Sequence, residues 1–162
     1  MHTQSQTEHH WLDQFVGKWI CESECVMAPD QPSTKTKGTE VVRSINGLWI
    51  VAEGEGEMPG GETGKSIMTL GYNPQSNCYV GTFICSMMPH LWVYKGTLDA
   101  AQTVLTLDTE GPICDQTTIH NAITKYQDII TVVSEDHRIL TSQMLGEDGH
   151  WHQFMTAHYW KQ

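Results

Sequence analysis

"TKGTEVVRSINGLWIVAEGEGE", residues 36–57, decides how the chain is read. Two runs rich in β-branched and aromatic residues flank Asn46-Gly47. Both residues of that pair tolerate the positive φ angles of a type I′ turn, so the stretch predicts a two-residue β-hairpin. Within its second arm, Trp49, Val51, Glu53, Glu55 and Glu57 share one face, and Ile50, Ala52, Gly54 and Gly56 the other. If the glutamates face water, the glycines face inward and leave volume beside them. If Glu53 faces inward, its carboxylate needs a partner or a raised pKa. Arg43, across the turn from about position 50, is within reach of that role.

The same grammar runs outward in both directions. Runs at 17–28, 36–45, 48–57, 65–72, 78–87, 90–98, 103–110, 119–134, 138–146 and 150–160 read as strands, separated by turns such as "NPQSN", "DAAQ" and "EDG". The run at 119–134 reads as one strand or as one with a break near Asp128. Only "TEHHWLDQFVG" (7–17) reads as a helix, with Thr7 as cap, Trp11, Leu12 and Phe15 as its stripe and Gly17 as its stop. About ten strands in sequence order, with no crossover helix, predict an all-β, up-and-down antiparallel β-barrel with a short N-terminal helix. A sandwich of the same strands is the alternative. The whole chain, 1–162, reads as one domain.

Composition narrows the function. The chain has 162 residues, 39% hydrophobic and 17% charged, with a formal net charge of -10 from 19 acids and 9 bases. That balance suits a packed core. No basic run offers a nucleic-acid face, and an anionic membrane surface would repel the protein. The first ten residues show no signal-peptide pattern, so a cytoplasmic location is expected. Five cysteines (Cys21, Cys25, Cys78, Cys85 and Cys114) make an odd count that argues against a disulfide framework. Cys21 and Cys25 share one strand face, where they could bind a soft metal. Their spacing lacks a matching second pair, and small buried hydrophobes is the simpler reading.

"GKW" (17–19), following the helix and opening the first strand, resembles the calycin superfamily of lipocalins and fatty-acid-binding proteins, in which the Trp packs across one barrel end. The longer segments "HHWLDQFVGKW", "KGTEVVRSINGLWIVAEGEGEMPGG", "SIMTLGYNPQ", "SMMPHLWVYKGTLD", "LTLDTEGP" and "WHQFMTAHYW" together resemble the bacterial domain-of-unknown-function family numbered 1579. That resemblance implies a calycin-like barrel. It implies no reaction and no catalytic residues.

Three stretches bear on a site. In "SMMPHLWVY" (86–94), Pro89 cannot donate to a sheet ladder, so a hairpin corner at a barrel mouth is expected, with His90, Trp92 and Tyr94 on one face. Met adapts to irregular ligands, and Trp and Tyr offer flat apolar area with a polar handle. In "HWHQFMTAHYW" (150–160), alternation puts His150, His152, Phe154, Thr156, His158 and Trp160 on one face. His152 and His158 are roughly 20 Å apart at ~3.3 Å per residue, so they cannot share one metal. A third ligand would have to come from His90 or His137. "GEGEMPGGETG" reads as a loop that could cover the mouth.

The leading expectation is a barrel holding a small apolar or amphipathic ligand. Met68, Met88, His90, Trp92, Tyr94, Phe154 and His158 would line it, with Arg43 and Glu53 as polar contacts. No catalytic residue, metal ligand or cofactor is assigned. The rivals are a metal or haem carrier, with enzymatic activity open to it, built on His90, His152 or His158, and a non-catalytic oligomeric module whose barrel is filled.

Overall fold

The computed structural model describes residues 3–26, 30–58, 60–114 and 119–162, and for 114 and 119–121 the backbone alone. Ten antiparallel strands close into a barrel in sequence order, with β1 hydrogen-bonded to β10. They are β1 (Gly17–Cys25), β2 (Thr34–Ile45), β3 (Trp49–Glu57), β4 (Thr63–Asn73), β5 (Cys78–Cys85), β6 (Met88–Leu98), β7 (Val104–Cys114), β8 (Ile119–Ser134), β9 (His137–Leu145) and β10 (Trp151–Lys161). Closure pairs the edges that an open sheet would expose. Positions 27 and 28, read as the end of the first strand, lie outside the described residues.

The Asn46-Gly47 turn is present, but Ile45 pairs with Trp49, so the loop has three residues, 46–48, rather than two. Both residues take positive φ, 49° and 69°, and Leu48 N–H donates to Ile45 C=O at 3.1 Å. The segment around Asp128 does not break. β8 runs unbroken past it, because Asp128 pairs in register with Leu107 on β7 and Ser142 on β9.

Helix α1 (Thr7–Leu12) continues as a single 3-10 turn, Asp13–Phe15. Its cap is Gln6 rather than Thr7. Gln6 is the extended residue at the boundary, and its N–H donates to His9 Nδ1 at 3.0 Å. Leu12 and Phe15 are buried, so the helix plugs the barrel end where β1 begins. Three bonds seat it: Trp11 Nε1–H to Gln102 C=O at 2.8 Å, Tyr79 O–H to Glu8 C=O at 3.1 Å, and Trp19 Nε1–H to Phe15 C=O at 2.8 Å. The core beneath the plug is Trp19, Val42, Ile50, Leu70, Tyr79, Leu105, Leu107 and Ile130.

The wall of β2 and β3 is drawn tight. A Cβ on Gly38 would lie 2.5 Å from the Glu55 carbonyl oxygen, and one on Gly54 would lie 2.7 Å from Ser66 Oγ. The inward glycines therefore admit close neighbours rather than leaving empty volume.

Candidate functional site: the open half of the barrel

Along each strand the inward face changes character away from the plug. On β1, Trp19 is buried, while Cys21, Ser23 and Cys25 on the same face are partly exposed. On β4, Leu70 is buried and Met68, Ser66 and Gly64 are partly exposed. On β6, Tyr94 is buried and Trp92, His90 and Met88 are partly exposed. Inward side chains that water reaches, all toward one end, describe a lumen open opposite the helix.

The wall of that half is not uniformly paired. The β6–β7 ladder covers only Lys95–Leu98 against Leu105–Asp108. Beyond it, among the described residues, β6 and β7 part without a ladder, while each remains paired to its other neighbour. Side chains bridge the gap. The Trp92 ring lies against Gly111, where a Cβ would stand 2.2 Å from the ring, and His90 Nε2 lies 3.3 Å from the Glu110 carbonyl oxygen. From this seam an edge-to-face aromatic chain crosses the mouth: His90–Trp92 at 4.7 Å, Trp92–Tyr126 at 4.9 Å and Tyr126–Phe154 at 6.1 Å between ring centres. Such contacts fix ring orientation as well as burying area. The "SMMPHLWVY" stretch thus forms one side of a seam without a ladder, which the Trp92 ring fills. Pro89 faces outward within β6, and the corner itself falls at Ser86–Met87.

The floor of the lumen is polar and hydrogen-bonded. Asp128 takes hydrogen bonds on both carboxylate oxygens, from Tyr94 O–H and from Ser142 O–H. Burial pushes its pKa up, and these two donors pull it part of the way back. Closer to the plug, Arg138 on β9 donates from Nη2 to Glu40 on β2. Burial raises the Glu40 pKa, and the guanidinium beside it opposes the shift. Arg138 also sits over the Trp19 and Tyr159 rings, 4.1 and 4.3 Å from their centres. Among the described residues two buried polar atoms have no partner: Thr109 Oγ1, in register with Tyr126, and Arg138 Nη1, beneath the plug beside Trp19. Burial also raises the Cys21 and Cys25 pKa values, which keeps both as thiols at neutral pH.

The structure brings Met68, Met88, His90, Trp92, Tyr94 and Phe154 to the lumen or its mouth. It does not bring Arg43, Glu53 or His158 there. Arg43 and Glu53 are exposed on the outer wall, opposite Val51 and Val41. Ile50, Ala52, Gly54 and Gly56 take the inward face of β3, so the glutamates of that strand point to solvent. His158 is turned outward by a bulge between Gln153 and Met155, which reverses the alternation of β10. Met155, Ala157 and Tyr159 then pair with inward residues of β9, while His158 clusters with His137 and Trp160 on the outside, the three ring centres 5.3–5.6 Å apart. Of the histidines weighed as metal ligands, only His137 and His158 meet, with His137 Nε2 3.0 Å from His158 Nδ1. His90 is at the seam, His152 is held by Asp148 at 2.9 Å in the β9–β10 turn, and His158 is on the outer wall. Among the described residues no group of three or more His, Cys, Asp or Glu side chains could hold a metal. The Cys114 side chain lies outside the described residues.

Sequence reading missed Asp128, Tyr126, Ser142, Thr109 and the Arg138–Glu40 pair. For Asp128 the signal was present: it shares the period-2 row of Thr124, Tyr126 and Ile130, and a lone carboxylate in an otherwise inward row marks a buried polar site rather than a strand break. The surface also carries two concavities. One of about 300 Å³ lies outside β1, β2 and β10, beside Glu22, Lys37, His158 and Trp160. The other, about 220 Å³, lies at the rim beside Val26 and Phe154.

Among solved structures, the chain is similar to Rv2717c from M. tuberculosis, with a TM-score of 0.68 at 13% identity over 98% of this chain and 99% of that one. It is also similar to a redesigned beta barrel, b11L5F_LGL, with a TM-score of 0.51 at 11% identity over 98% of this chain and 99% of that one. A third likeness is to EF1p2_mFAP2b bound to DFHBI, with a TM-score of 0.52 at 10% identity over 96% of this chain and 100% of that one. At such identities the shared property is the fold alone. No curated protein matches the chain in sequence. Among the described residues no helix is long and apolar enough to cross a membrane. The model of one sequence family matches residues 4–161, nearly the entire chain, which therefore belongs to the family described as "Protein of unknown function (DUF1579)".

Proposed function

We propose that this protein binds a small, predominantly apolar molecule with one polar end in the open half of its barrel. The observation that carries the reading is the graded lumen. Methionine and aromatic side chains surround the partly exposed half, and in its wall Thr109 Oγ1, in register with Tyr126, is buried without a partner among the described residues. A buried polar atom left unpaired costs about 1–3 kcal/mol, and a hydroxyl or carbonyl group on a ligand would remove that cost. The buried charges of the interior already have partners, Glu40 with Arg138 beneath the plug and Asp128 with Tyr94 and Ser142. A neutral ligand therefore suits the site better than an ionised one. Met68, Met88, His90, Trp92 and Phe154 are its wall, and Tyr94 reaches it through Asp128. Arg43, Glu53 and His158 have no part in it. The β6–β7 seam is the entry. The buried Trp19 at the plugged end supports a calycin-like assignment for the barrel.

Native mass spectrometry of gently purified protein, paired with a titration of the neutral dye Nile red, tests the reading. Saturable dye binding that Met68→Trp weakens, or a small-molecule mass lost on denaturation, is the expected result. A bare polypeptide mass together with no dye binding would refute it.

A further inference from the structure

The outer wall of β2 to β5 is unusually apolar for a surface facing water. Val41, Ile45, Trp49, Ile67 and Ile84 are each 38–45% exposed. Register places them together. Ile45 pairs with Trp49 and Trp49 with Gly71, where the indole lies over the missing side chain. Val41 pairs with Glu53, Glu53 with Ile67, and Ile67 with Ile84. Between the two rows runs a mixed one, Arg43, Val51, Thr69 and Thr82, in which Val51 is only 8% exposed and the two threonine hydroxyls bond to each other. Four strands at ~4.8 Å and rows ~6.6 Å apart give a patch of roughly 400 Å² in projection. Within that area the apolar side chains are interleaved with Arg43, Glu53, Thr69 and Thr82, and exposed apolar groups rimmed by polar ones mark interaction surfaces. With side-chain relief and a charged rim the wall approaches the ~800 Å² per partner that a stable interface buries.

We infer that this wall is the contact between two copies of the chain. Charge selects that occupant. The protein carries a net charge of -10, so two copies repel over most of their surface. This wall is an exception, because Arg43 and Glu53 stand in adjacent rows within it. A two-fold axis in the contact plane, passing near Val51, sets Arg43 against the partner's Glu53 and Glu53 against the partner's Arg43. The same rotation turns the Ile67–Ile84 side toward the partner's Ile45 and Trp49. An isologous interface requires such self-complementarity, and Arg43 and Glu53 find in it the role that the lumen does not give them.

Sedimentation equilibrium of the full chain, from micromolar to sub-millimolar concentration, tests the inference. A dimer is expected. Ile67→Arg and Ile84→Arg should each give a monomer with an unchanged far-ultraviolet circular dichroism spectrum. Arg43→Glu should weaken the dimer roughly tenfold or more by setting like charges together, and adding Glu53→Arg should restore it. A wild-type monomer throughout the range would overturn the inference. So would a dimer indifferent to all three single variants, or a double charge swap no tighter than Arg43→Glu alone.

Discussion

The guanidinium carbon of Arg138 stands 4.1 Å from the centre of the Trp19 ring, while its Nη2 holds the Glu40 carboxylate of the opposing wall. One side chain thus ties β9 to β1 and β2 beneath the helical plug. Removing a single partner of a buried ion pair leaves the other charge uncompensated, at a cost of about 3–5 kcal/mol. Arg138→Ala should therefore lower the urea midpoint sharply. Glu40→Leu combined with Arg138→Met replaces the pair by apolar volume, and should recover most of the loss. If the double variant is no more stable than Arg138→Ala, the pair contributes through Trp19 packing instead.

Asp128 gives the fold a pH dependence of definite sign. Its folded-state pKa is raised, chiefly by burial, so the folded protein holds the proton to higher pH than the unfolded chain does. Stability from this group is fully present below the unfolded value of ~3.9 and is lost as pH rises through the folded value. Asp128→Asn removes the titration. The melting temperature of wild type relative to Asp128→Asn should fall as pH climbs from the acid range toward neutrality. Tyr94→Phe, which deletes a donor to the ionised carboxylate, should cost about 1–3 kcal/mol near neutral pH and less in acid. A melting-temperature difference independent of pH would contradict both expectations.

How much of this the sequence discloses differs between the scaffold and the site. Strand count, order and the Asn46-Gly47 turn are local properties, written in short windows. Side-chain direction depends on register, and a single extra residue inverts it. The bulge in β10 is such a case: alternation read straight through "HWHQFMTAHYW" sends His158 inward, and the bulge sends it out. The Asp128 and Arg138 partners come from strands distant in sequence, such as Tyr94 and Glu40. No window contains both members. "SMMPHLWVY" was legible as a mouth because Pro marks a place where pairing stops. Its consequence, a seam rather than a rim, follows from the β6–β7 ladder.

Gly111 offers a direct probe of that seam. A methyl group there would meet the Trp92 ring at 2.2 Å, so Gly111→Ala must displace the indole toward the opening. Overpacking of this kind costs about 1–3 kcal/mol. Trp92 emission should shift to longer wavelength as the ring leaves Tyr126, best read as the difference between Gly111→Ala and Gly111→Ala/Trp92→Phe. Nile red should also enter faster. Unchanged emission would mean that the backbone of β7 yields instead of the ring.

The helical plug supplies the last expectation. Leu12 is 1% exposed and packs on the barrel core with Phe15, whereas Trp11 reaches across to the Gln102 carbonyl through its indole N–H. Leu12→Ala empties volume that neighbouring strands, held by closed ladders, cannot collapse to fill, so a loss of about 2–5 kcal/mol is expected. Trp11→Phe keeps most of the apolar area and deletes one hydrogen bond, for about 0.5–1.5 kcal/mol. Because the plug and the seam lie at opposite ends of the strands, neither change should alter the Nile red affinity of the fraction that remains folded. Chemical denaturation gives the two stabilities, and dye titration at low denaturant gives the affinities. A Leu12→Ala protein that stays folded but binds dye more weakly would show that the plugged end sets the shape of the lumen.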